Sequence, residues 1–281
     1  MYQYLYLLRE LAELASTGVA RETRAVLKST GKPINAYSVF GRMLRFDLSE
    51  SFPLITTKKL PFSHIAHEVL WMLSGSSNIK YLKDNGVRIW DEWADANGDL
   101  GPVYGTQMRG TYSLDGGVDQ IASLVRGLRE NPYSRRHLVS LWNVEQLDAM
   151  ALPPCVFAYN FRVSDNKATG AKQLSCAVHQ RSADVFLGLP WNIASYSLMT
   201  YIIAKSVGME PGELAFHLDD VHLYTNHIEQ ALQQLEREPM TPPTLAISAN
   251  SAQVNPWDYK LEDISLTGYN AHPSIKGEVA V

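Results

Sequence analysis

Apolar residues recur at every third position from Tyr4 to Ala15, with Leu5, Leu8, Leu11 and Leu14 forming one stripe, which predicts an amphipathic helix. From Ser38 to Leu48 the pattern changes. Val39, Met43 and Phe46 stand among polar partners, as in a half-buried strand. Ser63 is placed as the N-cap of a helix carrying Ile65, Val69, Leu70, Met72 and Leu73, and Gly75 is placed to end it. His137 to Trp142, Val156 to Val163 and Gln173 to Val178 read as short strands between turn residues. Ile193 to Val207 is apolar on nearly every face, which predicts a central buried helix. Leu223 to Arg237 has the caps and charges of a surface helix. Ser29 to Asn35, with Gly31 and Pro33, reads as the longest loop. Strands and helices mix without strict alternation, so the expected class is α+β. With no repeat and no Gly-, Pro- or Ser-rich linker, one domain over residues 1–281 is expected.

Composition narrows the function classes. Hydrophobic residues make up 46% of the chain and charged ones 19%, enough apolar material for a sizeable core. No apolar run approaches the roughly 20 residues of a membrane span, and the N-terminus lacks a basic leader, so a cytoplasmic protein is expected. The net charge of −4 argues against wrapping DNA by bulk charge but leaves room for a local basic pocket holding one small anion. Two cysteines are too few for a disulfide framework.

Four segments carry candidate chemistry. In Leu152-Pro153-Pro154-Cys155-Val156 two prolines stiffen the approach to a cysteine at the mouth of a strand, whereas Cys176 shares a strand face with Leu174 and Val178 and reads as packing. Gln180 to Asn192 brings a guanidinium (Arg181), a hydroxyl (Ser182) and a carboxylate (Asp184) within four residues, a set suited to binding phosphate and polarising a substrate. Asn192 offers both a donor and an acceptor, as the amide edge of a pyrimidine requires, although it equally suits a helix cap. Arg135 and Arg136 read as a solvated turn unless a phosphate needs them. In Asp219 to His227, His222 and Tyr224 lie two apart on one strand face, where they can bond a sugar hydroxyl. His222 and His227 have no standard zinc spacing, so no metal is expected.

Leu152-Pro153-Pro154-Cys155, the Gln180 to Asn192 block and Asp220-Val221-His222-Leu223-Tyr224-Thr225-Asn226-His227, in that order, resemble thymidylate synthase. So do His67-Glu68-Val69-Leu70-Trp71, Ile89-Trp90-Asp91-Glu92-Trp93, Gly101-Pro102-Val103-Tyr104-Gly105 and the C-terminal Val279-Ala280-Val281. The resemblance runs from about Ser38 to the last residue. It implies a mixed β-sheet packed with helices around a central buried helix, the sheet forming the interface of a homodimer. It also implies a reaction in which Cys155 adds to carbon 6 of a uracil ring and carbon 5 takes a one-carbon unit from 5,10-methylenetetrahydrofolate. Glu68 resembles the acid/base helper, Tyr104 the group assisting proton loss from carbon 5, and Asn192 the reader of the base. Arg181, Ser182 and a partner subunit's Arg135 and Arg136 resemble the phosphate cradle, while His222 and Tyr224 resemble the residues holding the sugar 3′-hydroxyl. Asp184 is expected at both the nucleotide and the folate. Lys58, Trp90, Trp93, Leu187, Gly188, Trp191 and Val281 are expected around the folate.

The chain departs from this family in three places. An Arg-Thr-Gly-Thr-Gly type loop is missing, with Ser29 to Ala36 in its place after an apparent insertion, at about residues 18–36; Lys28 or Lys32 is then the candidate for the loop's lost phosphate arginine. Val156 follows the nucleophile where His is usual. Met108 and Trp191 stand where Trp and Phe are common. A site that closes less well admits water, so the alternative outcome is a dUMP, dCMP or CMP hydroxymethylase. A non-catalytic nucleotide- or RNA-binding module is the alternative of a different class.

Overall fold

The computed structural model describes residues 1–110, 117–248 and 254–280. Among them are seven α-helices: α1 (Tyr2–Thr17), α2 (Phe62–Ser74), α3 (Lys80–Asp84), α4 (Tyr104–Arg109), α5 (Gln120–Glu130), α6 (Gly188–Ser206) and α7 (Ile228–Leu235). Strands β1 (Ala36–Asp47), β2 (Leu138–Ser140), β3 (Val156–Asp165), β4 (Lys172–Asp184) and β5 (Glu210–Tyr224) form one mixed sheet in the order β1-β5-β4-β3-β2. A separate ladder pairs β6 (Thr244–Ile247) with β7 (Ile264–Thr267). Only β4 and β5 run parallel in the large sheet, and α6 is the crossover their parallel arrangement requires.

Helix α6 occupies the centre. It packs on β4, β5 and α2, and its buried residues, Leu189, Ile193, Tyr196, Leu198, Ile202 and Ile203 among them, cover every face of the helix. That is why its sequence shows no polar stripe. Buried Ser197, Thr200 and Ser206 each donate a hydroxyl hydrogen to the carbonyl four residues earlier, which satisfies these three donors inside the helix. Helix α1 closes the sheet's other end. Its Leu stripe is buried, and the Tyr4 hydroxyl donates to the Val185 carbonyl (3.0 Å) in the β4–α6 turn.

Several elements differ from the sequence pattern. Helix α2 begins at Phe62 with Pro61 as its N-cap, two residues ahead of the capping role expected of Ser63; Gly75 ends it in the left-handed conformation (φ 80°). Strand β2 is only three residues long, shorter than His137 to Trp142. The segment from Leu223 is divided: Leu223 and Tyr224 finish β5, a 3₁₀ turn spans Thr225–His227, and α7 follows. Strand β4 runs six residues beyond Val178, its polar end Gln180 to Asp184 pairing with Leu218 to His222 of β5. Hydrogen bonding to β5 holds this end extended although its side chains have lost the apolar pattern.

Residues 18–35 form a closed excursion. Arg21 and Ala36 exchange both backbone hydrogen bonds (3.0 Å each), and Val26 lies opposite Pro33 farther out. The chain therefore leaves and returns to one point at the start of β1.

Candidate functional site

A cavity of about 640 Å³ opens where β4, β5, the Pro153–Cys155 turn and the 18–35 excursion meet. Cys155 lies in its wall, at the residue before β3. Both main-chain groups of Cys155 are fixed: its N–H donates to the Tyr104 hydroxyl (3.0 Å) and its carbonyl accepts from the Arg181 N–H (2.8 Å). The Arg181 guanidinium donates from Nε to the Pro154 carbonyl and from Nη2 to the Pro153 carbonyl, both at 2.9 Å. One arginine thus clamps the proline turn and places positive charge beside the thiol. Burial pushes the Cys155 thiol up, Arg181 and Arg24 pull it down, and Asp184 opposes them. Cys176 is 3% exposed and burial pushes its thiol up to about 12, which leaves it a packing residue.

Glu68, on α2, is buried and accepts three hydrogen bonds, from the indole N–H groups of Trp90 (2.8 Å) and Trp191 (2.6 Å) and from the Ser195 hydroxyl (3.5 Å). Burial raises its carboxyl above the ordinary range although all three donors oppose the shift. A carboxyl so placed can take up and pass on a proton at the buried side of the site. Tyr104, on α4, stays protonated, because burial and the nearby Cys155 both raise it well above its usual value. Gly105 permits this placement: a Cβ there would stand 2.7 Å from the Met72 carbonyl, so α4 approaches the α2 backbone only with glycine at that point.

Asp184, Gly188 and Asn192 line the cavity at the β4–α6 turn. Asp184 Oδ1 accepts the Phe186 (2.9 Å) and Leu187 (3.1 Å) amide hydrogens, leaving Oδ2 for a ligand donor. Ser182, His222, Tyr224, Trp93 and Arg181 also line the cavity, so the chain's main sequence candidates converge there. Glu68, Tyr104, Trp90, Trp191 and Leu187 do not line it; Tyr104 lies behind Cys155, bonded to its N–H, and Trp90 and Trp191 donate to Glu68. Lys58 is 2% exposed, its Nζ donating to the Phe186 carbonyl and lying 3.4 Å from that ring's centroid, behind the cavity wall. Burial lowers its ammonium to about 7 against the pull of Asp184. Arg135 and Arg136 are exposed and do not line this chain's cavity. Val281 falls outside the described residues, and its neighbours Val279 and Ala280 line the cavity.

Two expectations need correction. The loop arginine is present: Arg24 lines the cavity and its charge acts on Cys155, whereas Lys28 pairs with Glu92 and Lys32 is exposed and outside the lining. The excursion separates Arg24 from β1 by eleven residues in sequence, yet the Arg21–Ala36 bridge cancels that distance in space. Val156, read as taking a polar group away from the cavity, is 1% exposed in the core and does not line the cavity. Sequence reading also missed Arg21, Gln180 and Asp220 as lining residues; two arginines at i, i+3 before the loop were the available signal for the first.

His222 Nδ1 meets Asp220 Oδ1 (3.2 Å), while His227 Nε2 meets the Glu278 carbonyl (2.9 Å) and packs on Phe186. The two imidazoles therefore serve different partners, and among the described residues no group of three or more His, Cys, Asp or Glu converges as metal ligands would.

The tail reaches the same rim. Ala280 is bridged to Leu27, the Ser29 N–H donates to the Glu278 carboxylate (2.7 Å), and Lys28 pairs with Glu92 beside Trp93. The excursion thereby ties the C-terminal segment to the wall that carries Trp93. Comparison with known families is consistent with this arrangement of thiol, cations and tail: the sequence model of a family described as thymidylate synthase matches residues 2–281.

Proposed function

The chain belongs to the thymidylate synthase family, and from that premise we propose that it converts dUMP and 5,10-methylenetetrahydrofolate to dTMP and dihydrofolate. The observation that carries this reading is Cys155, pinned through both main-chain groups at a cavity that also presents Arg181 and Arg24. The Cys155 sulfur bonds to carbon 6 of the uracil, and the ring's double-bond electrons move toward the carbon-4 oxygen, which makes carbon 5 nucleophilic. Asn192 reads the base edge, as an amide with both donor and acceptor can. Arg24, Arg181 and Ser182 hold the phosphate, with Arg135 and Arg136 of a partner subunit completing the cradle in a homodimer. Glu68 manages protons at the carbon-4 side, and the Tyr104 hydroxyl assists removal of the carbon-5 proton. Loss of the sulfur from carbon 6 frees the product.

The donor set fits the folate. Trp93 offers an aromatic wall, Asp184 a carboxylate oxygen for ring N–H groups, and Gly188 room beside it. When bound, methylenetetrahydrofolate supplies the one-carbon unit and, in methylation, the hydride. A tail tied to the excursion would shield that side from water, which favours hydride over water at the exocyclic methylene. Hydroxymethylation is the second reading within the family, and a non-catalytic nucleotide- or RNA-binding module is the reading of another class. Incubation with dUMP or dCMP plus methylenetetrahydrofolate, followed by mass measurement of the nucleotide, separates them. Methylated dUMP with an absorbance rise from dihydrofolate is expected. A product heavier by one oxygen assigns the hydroxymethylase, and tight binding of dUMP with no product assigns the module.

A further inference from the structure

Asp220 uses both carboxylate oxygens at the cavity rim. Oδ2 is paired with the Arg21 guanidinium and Oδ1 meets His222 Nδ1 at 3.2 Å. All three residues line the cavity. Backbone pairing places them independently of their side chains: Arg21 is bridged to Ala36, Ala36 opposes Tyr224, and Ser38 and Phe40 oppose His222 and Asp220. Resting on the nucleotide reading above, we propose that Arg21 is a positioning residue for sugar recognition, acting through Asp220 to fix the ring orientation and tautomer of His222.

The chemistry runs outward from the carboxylate. Ionised Asp220 only accepts hydrogen bonds, so the His222 nitrogen facing it carries the hydrogen, and in the neutral ring Nε2 is the acceptor. A ring nitrogen fixed as an acceptor selects a ligand O–H, and dUMP has a single sugar hydroxyl. Tyr224 packs edge-on against His222 (5.0 Å between centroids), and its hydroxyl, pushed up to about 12, remains protonated beside the same spot. Unpaired, the Asp220 carboxylate has one partner and is free to rotate away from the ring. Arg21 removes that freedom through the Nη2 hydrogen bond to Oδ2, a directed contact that a lysine reproduces only in part. The arrangement parallels the outer partners that orient histidines at metal sites, here turned toward a hydroxyl.

The test compares binding of dUMP with that of 2′,3′-dideoxyuridine 5′-monophosphate, which differs only in lacking the hydroxyl. Wild-type protein is expected to prefer dUMP by about tenfold, the worth of one well-placed hydrogen bond. Arg21→Ala should bring that ratio close to one while leaving affinity for the dideoxy nucleotide within about twofold, which also reports an intact fold. Arg21→Lys should recover part of the ratio, and Asp220→Asn should lower it. Equal weakening toward both nucleotides would make Arg21 a phosphate contact and overturn the assignment, as would an unchanged ratio. Wild-type protein that binds neither nucleotide overturns the nucleotide reading itself.

Discussion

The inner wall of the cavity and its outer rim are held by different kinds of interaction. At the wall, Cys155 is fixed through its own backbone, and behind it Glu68 is enclosed by Trp90, Trp191 and Ser195 among α2, α4 and α6. At the rim, residues 18–35 and the tail meet through one bridge, one amide–carboxylate bond and exposed ion pairs such as Lys28–Glu92. Buried hydrogen-bonded groups are costly to leave unpaired, whereas exposed ion pairs contribute about 0–1 kcal/mol. Chemistry that needs fixed atoms therefore sits on the wall. Binding that must let ligands enter and leave falls to the rim.

The contrast is broken most severely at Cys155. Cys155→Ser should reduce turnover by about 10⁴-fold or more while dUMP affinity stays within severalfold, measured by dihydrofolate absorbance and by calorimetry. Full turnover in that variant would remove the covalent mechanism.

Glu68 is next. Glu68→Gln should lower kcat by about 100-fold, in the range of general acid–base catalysis. Glu68→Leu should also destabilise the fold by about 1–3 kcal/mol for each donor left unpaired. The sign of the pH effect follows from the raised folded value. The native state holds the Glu68 proton more tightly than the unfolded chain, so this group's contribution is complete below the ordinary carboxyl value of 4.5 and is lost as pH rises through the elevated folded value. Denaturant midpoints measured across that window should fall more steeply in wild type than in Glu68→Gln.

At the rim, Arg24→Ala should raise the KM for dUMP about tenfold with a much smaller effect on deoxyuridine, as removal of a phosphate contact requires. Lys32→Ala should stay within about twofold on the same scale. A large effect at Lys32 and none at Arg24 would reverse the assignment of the loop arginine. The smallest change is expected from Lys28→Ala, a rise of about two- to fivefold in the KM for folate, because its ion pair with Glu92 is solvent-exposed. A hydroxymethylated product appearing in that variant would show that the excursion guards against water.

Legibility in the sequence follows the same division. The leucine stripe of α1, the all-round apolar α6 and the stiffened Cys155 turn carry local signals, since helix period, uniform burial and proline geometry act over a few residues. The polar end of β4 carries none, because β5 supplies the hydrogen bonds that keep Gln180 to Asp184 extended. Arg24 sits inside the 18–35 excursion, far from β1 in sequence, and reaches the cavity because the excursion's two ends are bridged, a relation visible only in space.

By itself the sequence determined the α+β class, the central helix, the stiffened cysteine turn and the arginine, serine and asparagine grouped along β4 and the start of α6. Periodicity and clustered side chains encode these within short spans. Tertiary structure decided which cations reach the thiol, that Val156 turns into the core, and that Arg21, Asp220 and His222 share one carboxylate. Residues 21 and 220 are joined through β1 and β5, and a pairing register across such a separation is set by the packing of the whole sheet.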